Sequence, residues 1–232
     1  MTPAPIAVAL DAPDLETAAR WAALVTPHVS TVKVGLELYL RYGPDVIASV
    51  RGASGVQVFL DLKLHDIPNT VAGASRAVSR LRPAILTVHA AGGPAMIRAA
   101  VESAASNTQI AAVTILTSLT EADLSRIGLA GPADDAVRRL AALSVEAGAT
   151  ALVCSPNEVS ALRAEVGAGI TLITPGVRPT GAAMQDQVRV ATPEQALADG
   201  ADLLVIGRPI TGAADPGAAA AAIAASLRRH VP

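Results

Sequence analysis

The feature that most constrains this chain is a unit repeated eight times: a short run rich in Val, Ile and Leu, a turn, and then an amphipathic helical stretch. The strand candidates are 6–10, 31–36, 57–62, 85–89, 110–116, 151–154, 171–174 and 203–206. Between them, 14–25 carries Leu15, Ala18, Ala19, Ala22 and Val25 at helical spacing, and 136–147 does the same with Val137, Leu140, Ala141 and Leu143. Thr192-Pro193 reads as a cap followed by a first-turn proline, opening a helix over 194–198. The strands are near-continuous apolar runs without clean alternation, the pattern of parallel strands covered by helices. Eight units in 232 residues give about 29 residues each, close to the proportions of a (β/α)8 TIM barrel. The competing architecture, an open doubly wound sheet, usually has a Gly-x-Gly-x-x-Gly turn after its first strand, and that turn is absent here. The expectation is one α/β barrel domain over 1–232, with no linker and no second domain.

Composition narrows the partners. About half the residues (51%) are apolar, enough for a large core, but only 2% are aromatic, too few for a platform that stacks single-stranded bases. A formal net charge of −2 provides no electrostatic footprint for nucleic acid or an anionic membrane. Cys154 is the single cysteine, so neither an intrachain disulfide nor a Cys-based zinc site can form. The N-terminus lacks the basic region of a signal peptide, and no apolar stretch approaches the ~20 residues of a membrane span. A cytoplasmic protein is expected.

Polar residues gather at the C-terminal ends of the strand candidates, where barrel enzymes keep their active sites. Asp11 ends the first and Lys33 lies within the second. Asp61 and Lys63 end the third, with Asp66 just beyond. His89 ends the fourth, and Thr117 and Ser118 the fifth. Arg178 follows the seventh and Arg208 the eighth. Asp61 and Lys63 are two apart, so both leave a strand on the same face. A single Asp/Lys pair reads most simply as buried charges satisfying each other. Four alternating charges converging on one barrel mouth are costly to desolvate and hard to justify by stability alone. An ammonium flanked by carboxylates keeps its charge, which makes it a poor Schiff-base nucleophile and a good proton donor. Such a cluster suits a reaction that generates a carbanion, where preorganised electrostatics carry most of the catalysis.

The segment Val58-Phe59-Leu60-Asp61-Leu62-Lys63-Leu64-His65-Asp66-Ile67-Pro68-Asn69-Thr70 resembles the motif of the orotidine 5′-phosphate decarboxylase family throughout its length. The likeness extends to Leu10-Asp11, Val32-Lys33-Val34-Gly35, Leu116-Thr117-Ser118, Thr174-Pro175-Gly176-Val177-Arg178-Pro179, Asp186-Gln187 and Ile206-Gly207-Arg208-Pro209. It therefore spans nearly the whole chain, in order. The resemblance implies decarboxylation of orotidine 5′-phosphate to uridine 5′-phosphate, the last step of pyrimidine nucleotide synthesis, with no cofactor and no metal. It implies Lys63 as the proton donor to C6 of the pyrimidine and Asp61 beside the substrate carboxylate. Lys33 and Asp11 would hold the ribose. Asp66, Ile67 and Thr70 would reach into the site of a second subunit, so a homodimer with shared active sites is implied. Ser118 and the backbone near Thr117 would meet the edge of the base, and Pro175 would also line the substrate site. Gln187, Gly207 and Arg208 would hold the phosphate, with Arg178 at its margin.

The phosphate assignment also has independent grounds. Barrels commonly bind phosphate with the loops after strands seven and eight, where glycines expose backbone N–H groups. Here those loops carry Gly176, Arg178, Gly207 and Arg208. The segment 178–187 has the small residues and the length of a lid that closes over the phosphate.

Metal-dependent relatives, sugar-phosphate decarboxylases and hexulose-phosphate aldolases, share Asp-x-Lys-x-x-Asp. In their pattern an acidic residue stands where this chain has Lys33, and a lysine repels a dication. A catalytically silent phosphosugar-binding barrel is the other alternative, and the intact charge cluster argues against it. His89 is read as a hydrogen-bonded packing residue beside the site, and His65 as alternating away from the charges. Cys154 is read as a buried, inert thiol.

Overall fold

The computed structural model describes residues 2–129, 131–179 and 191–228. Eight strands follow one another around a closed barrel in chain order: β1 (Ala4–Ala9), β2 (Val29–Gly35), β3 (Gln57–Leu64), β4 (Ile85–His89), β5 (Gln109–Val113), β6 (Ala151–Val153), β7 (Thr171–Thr174) and β8 (Leu203–Ile206). All neighbours are parallel, and β8 pairs back onto β1 through Ile6↔Leu204, Ala7↔Val205 and Val8↔Ile206. Closure leaves no free sheet edge.

The alternation within each strand divides the core in two. Ile6 and Val8 on β1, Val58 and Leu60 on β3, and Leu86 and Val88 on β4 belong to the cluster packed under the helices. The residues between them point inward, where Ala7, Phe59, Ile85, Ala111, Ala151, Ile173 and Leu203 form a second, interior cluster. Phe59 is the only phenylalanine in the chain and is fully buried inside the barrel. The alanines at 7, 111 and 151 leave the space that its ring fills, the large-with-small packing a barrel interior requires.

The expected elements appear with adjusted ends. The helix Leu15–Val25 is capped by Asp14, whose carboxylate accepts the Thr17 N–H at 2.7 Å. Pro193–Ala198 is capped by Thr192, whose hydroxyl accepts the Gln195 N–H at 3.2 Å. The fifth strand was expected to run through Leu116 but stops at Val113. The Thr114 N–H still makes the ladder bond to the Val153 carbonyl and its hydroxyl adds a second, after which a turn closes from the Leu119 N–H to the Leu116 carbonyl. Thr117 and Ser118 therefore sit on a loop rather than at a strand end. Among the described residues no helix is long and apolar enough to cross a membrane.

Candidate active site

Continuing inward-facing positions toward the C-terminal ends of the strands opens a cavity of about 590 Å³. Phe59 forms part of its floor, and the next inward residue on the same strand is Asp61. The walls include Asp11, Lys33, Lys63, Thr117, Pro175, Arg178, Gly207 and Arg208, all of them anticipated from sequence. This is the mouth at which barrel enzymes bind substrate.

Asp61 is the electrostatic centre, a carboxylate only 8% exposed. Lys63 Nζ donates to both of its oxygens, at 2.8 Å to Oδ1 and 2.9 Å to Oδ2. Lys33 Nζ lies 3.3 Å from Oδ2. Burial works against the charged carboxylate, but the neighbouring charges of Lys33 and Lys63, with hydrogen bonds from Lys63 and Thr87, outweigh it and hold the Asp61 pKa below its ordinary value. One buried carboxylate thus holds two ammonium groups in direct contact at the wall of the cavity.

Lys63 does not reach this position along a regular strand. Its backbone is left-handed, with φ +48°, a conformation that costs a non-glycine residue roughly 1–3 kcal/mol. The pairing of β3 with β4 shifts between Leu60↔Leu86 and Leu64↔Val88, so β3 bulges where the two catalytic candidates lie. The Lys63 N–H is bonded by the Thr87 hydroxyl at 2.8 Å, and that hydroxyl in turn donates to Asp61 Oδ1 at 3.0 Å.

Three neighbours were not anticipated as site residues. Thr87 reads in sequence as one position in an apolar strand; its signal is a hydroxyl on the inward face of Ile85-Leu86-Thr87-Val88-His89. Gly35 leaves room for the cluster, since a Cβ there would stand 3.2 Å from Lys33 Nζ and 3.7 Å from Asp11 Oδ1. Glu37 lines the cavity and pairs with Arg41 at 3.0 Å, and no sequence pattern marked it.

Other candidates lie apart from this cavity. Asp66, Ile67 and Thr70 are not among its lining residues. All of His65, Asp66, Ile67, Pro68, Asn69 and Thr70 are exposed, Ile67 at 66%, and the Asp66 carboxylate accepts the N–H of Ile67 at 2.6 Å. Ser118 is exposed and also outside the lining. The expected lid runs over 178–187; beyond Pro179 it lies outside the described residues, and Gln187 with it. Its near end is anchored, because the Arg178 N–H bonds the Ala191 carbonyl at 3.0 Å.

His89 packs as expected, with its ring stacked on His65 at 5.4 Å between centroids. The expected hydrogen bonding is not met at Nδ1, which is buried without a partner among the described residues. Burial, followed by the charges of His65 and Lys63, pushes the His89 pKa below its ordinary value. Cys154 lines the cavity, and burial together with the Glu158 carboxylate pushes its thiol up to about 12, which fits an inert sulfhydryl.

The fold and this cavity define a (β/α)8 barrel whose C-terminal mouth is built around a buried lysine–aspartate–lysine cluster. Residues 4–223 match the model of the orotidine 5′-phosphate decarboxylase / HUMPS family, and the chain belongs to that family. It is 74% identical over 226 residues to an orotidine 5′-phosphate decarboxylase of Thermobifida fusca, with 97% of each chain covered. It is 59% identical to one from Frankia casuarinae, covering 97% of this chain and 88% of that one. Among solved structures, orotidine 5′-phosphate decarboxylase from Lactobacillus acidophilus superposes with a TM-score of 0.83 at 36% identity, covering 97% of this chain and 99% of that one.

Proposed function

We propose that this chain decarboxylates orotidine 5′-phosphate to uridine 5′-phosphate and carbon dioxide without a metal or cofactor, and that Lys63 protonates C6. The observation that carries the reading is the double contact of Lys63 Nζ with Asp61, beside Lys33 and inside the cavity. The relatives' names supply the substrate.

In this reading the C6 carboxylate of the substrate enters beside Asp61. The C6–carboxylate bond breaks, carbon dioxide departs, and the electron pair stays on C6. Lys63 is already aimed at that region and stabilises the developing charge before giving C6 its proton. Such fixed charges need no reorganisation when the bond breaks. Lys33 and Asp11 hold the ribose, Thr117 and Pro175 border the base, and Gly207, Arg208 and Arg178 meet the phosphate, with Gln187 completing that end. Lys33 stands against the Asp61 oxygen that a dication would need, which supports the metal-free reaction over the magnesium-dependent relatives.

The same proposal includes a cytoplasmic homodimer with shared sites. Its support is the run of exposed residues from His65 to Thr70, with Ile67 uncovered directly after the catalytic strand. In the dimer Asp66, Ile67 and Thr70 would complete the partner's cavity, and Ser118 would meet the base when substrate is bound.

The test is the loss of pyrimidine absorbance after adding orotidine 5′-phosphate, with and without EDTA. Turnover unchanged by EDTA is expected. No turnover by folded protein, or a loss that magnesium restores, would overturn the reading.

A further inference from the structure

In a regular parallel ladder each strand N–H bonds a carbonyl on its neighbour. Between Leu60↔Leu86 and Leu64↔Val88, β3 has three residues, Asp61, Leu62 and Lys63, while β4 has only Thr87. The bulge therefore removes the Lys63 N–H from regular pairing, on a strand whose facing residue, Thr87, is fully buried. An amide left unpartnered there would be strongly unfavourable. Thr87 meets this need with a side chain: its hydroxyl accepts the Lys63 N–H at 2.8 Å and donates its own hydrogen to Asp61 Oδ1 at 3.0 Å. Thr87 is fully buried, so both roles of the hydroxyl are filled within the protein. Donation to a carboxylate polarises the oxygen and strengthens it as an acceptor.

The consequence is geometric. Lys63 is held at both ends by one hydrogen-bonded circuit: its amide through Thr87 to Asp61, and its ammonium directly to Asp61. Breaking the amide contact frees the left-handed Lys63 backbone to relax, and the side chain loses its aim. We propose that Thr87 is a positioning residue, whose hydroxyl locks the β3 bulge and thereby sets Lys63 against Asp61. The catalytic side of this inference rests on the reading of Lys63 as proton donor; the geometric side does not.

Three variants separate the hydroxyl from the volume it occupies. Thr87→Val keeps the shape and removes the hydroxyl, Thr87→Ser keeps the hydroxyl, and Thr87→Cys substitutes a weak donor and acceptor. On orotidine 5′-phosphate the expected order of kcat is wild type, Ser, Cys, Val. Ser should fall within about threefold of wild type, and Val about 10- to 100-fold below it, the cost of leaving a buried partner unsatisfied. KM should move by less than about threefold, since the ribose and phosphate contacts are elsewhere. A residue that only fills space would reverse this order, with Val close to wild type and Ser the poorer variant. Should Val fail to fold, the ranking of Ser above Cys decides in the same way. NMR titration of Asp61 gives a readout independent of substrate: its carboxyl should titrate higher in Val than in wild type or Ser. Val matching Ser in kcat, or an Asp61 titration unmoved in Val, would overturn the proposal. Wild type that does not turn over orotidine 5′-phosphate would remove the assigned reaction and leave the titration to decide the role of Thr87.

Discussion

Lys63 Nζ donates to both oxygens of Asp61, at 2.8 and 2.9 Å, so the candidate proton donor and the buried carboxylate form a closed two-point contact. With Lys33 Nζ 3.3 Å from the same group, the charge of Asp61 is what holds two ammonium groups together inside the barrel.

That arrangement has a pH signature. The Asp61 pKa is lowered in the folded protein, where the two lysines outweigh burial, so its contribution to stability is fully present above the ordinary carboxylate value near 3.8 and is lost as pH falls through the folded value. Asp61→Asn cannot titrate. The difference in urea midpoint between wild type and Asp61→Asn should therefore move in the direction unfavourable to wild type as pH drops from 6 to 3. A difference independent of pH would mean that Asp61 is not stabilised as the carboxylate.

His89 should titrate below 6.5, because burial disfavours its charged form and His65 and Lys63 add repulsion. Its neutral form then contributes stability present above 6.5 and lost as pH falls through the folded value. Removing the Lys63 charge by Lys63→Ala should raise the His89 pKa in an NMR titration. An unchanged value would place Lys63 outside its electrostatic reach.

The phosphate end is tested by Arg208→Ala and Gln187→Ala. Each should lower kcat/KM for the phosphorylated substrate by about 10- to 100-fold, the scale of a charge-assisted hydrogen bond. Neither should affect the unphosphorylated nucleoside, because the lost contacts would be to the missing group. Full efficiency on the phosphorylated substrate would remove both residues from phosphate binding.

Cys154, with its thiol pushed up to about 12 and its side chain buried, should resist a thiol-specific disulfide reagent in the native protein. One equivalent should react after unfolding in guanidinium. Rapid reaction of the native protein would show that the cavity opens further than this structure does.

The barrel was legible because its signals are local and repeated: apolar runs, helical spacing over 14–25 and 136–147, and Thr192-Pro193 at a helix start. The charged walls were legible because Asp11 and Asp61 fall at the ends of those runs, Arg208 follows one, and Lys33 lies within one. Thr87 was hidden because its importance comes from a bulge on the neighbouring strand, and strand period alone cannot reveal an extra residue. Gly35 stands out in sequence only as part of a motif; its role depends on how closely Lys33 and Asp11 approach in three dimensions. The early end of β5 is hidden because Ile115 and Leu116 continue the apolar run, while the turn from Leu116 to Leu119 already takes the chain out of the sheet.

Turnover of orotidine 5′-phosphate by Lys63→Ala decides whether Lys63, held by Asp61, delivers the proton to C6. Turnover should fall below detection in a variant with native circular dichroism and native oligomeric state. Substantial residual turnover by that folded variant would contradict it and move the proton donor elsewhere.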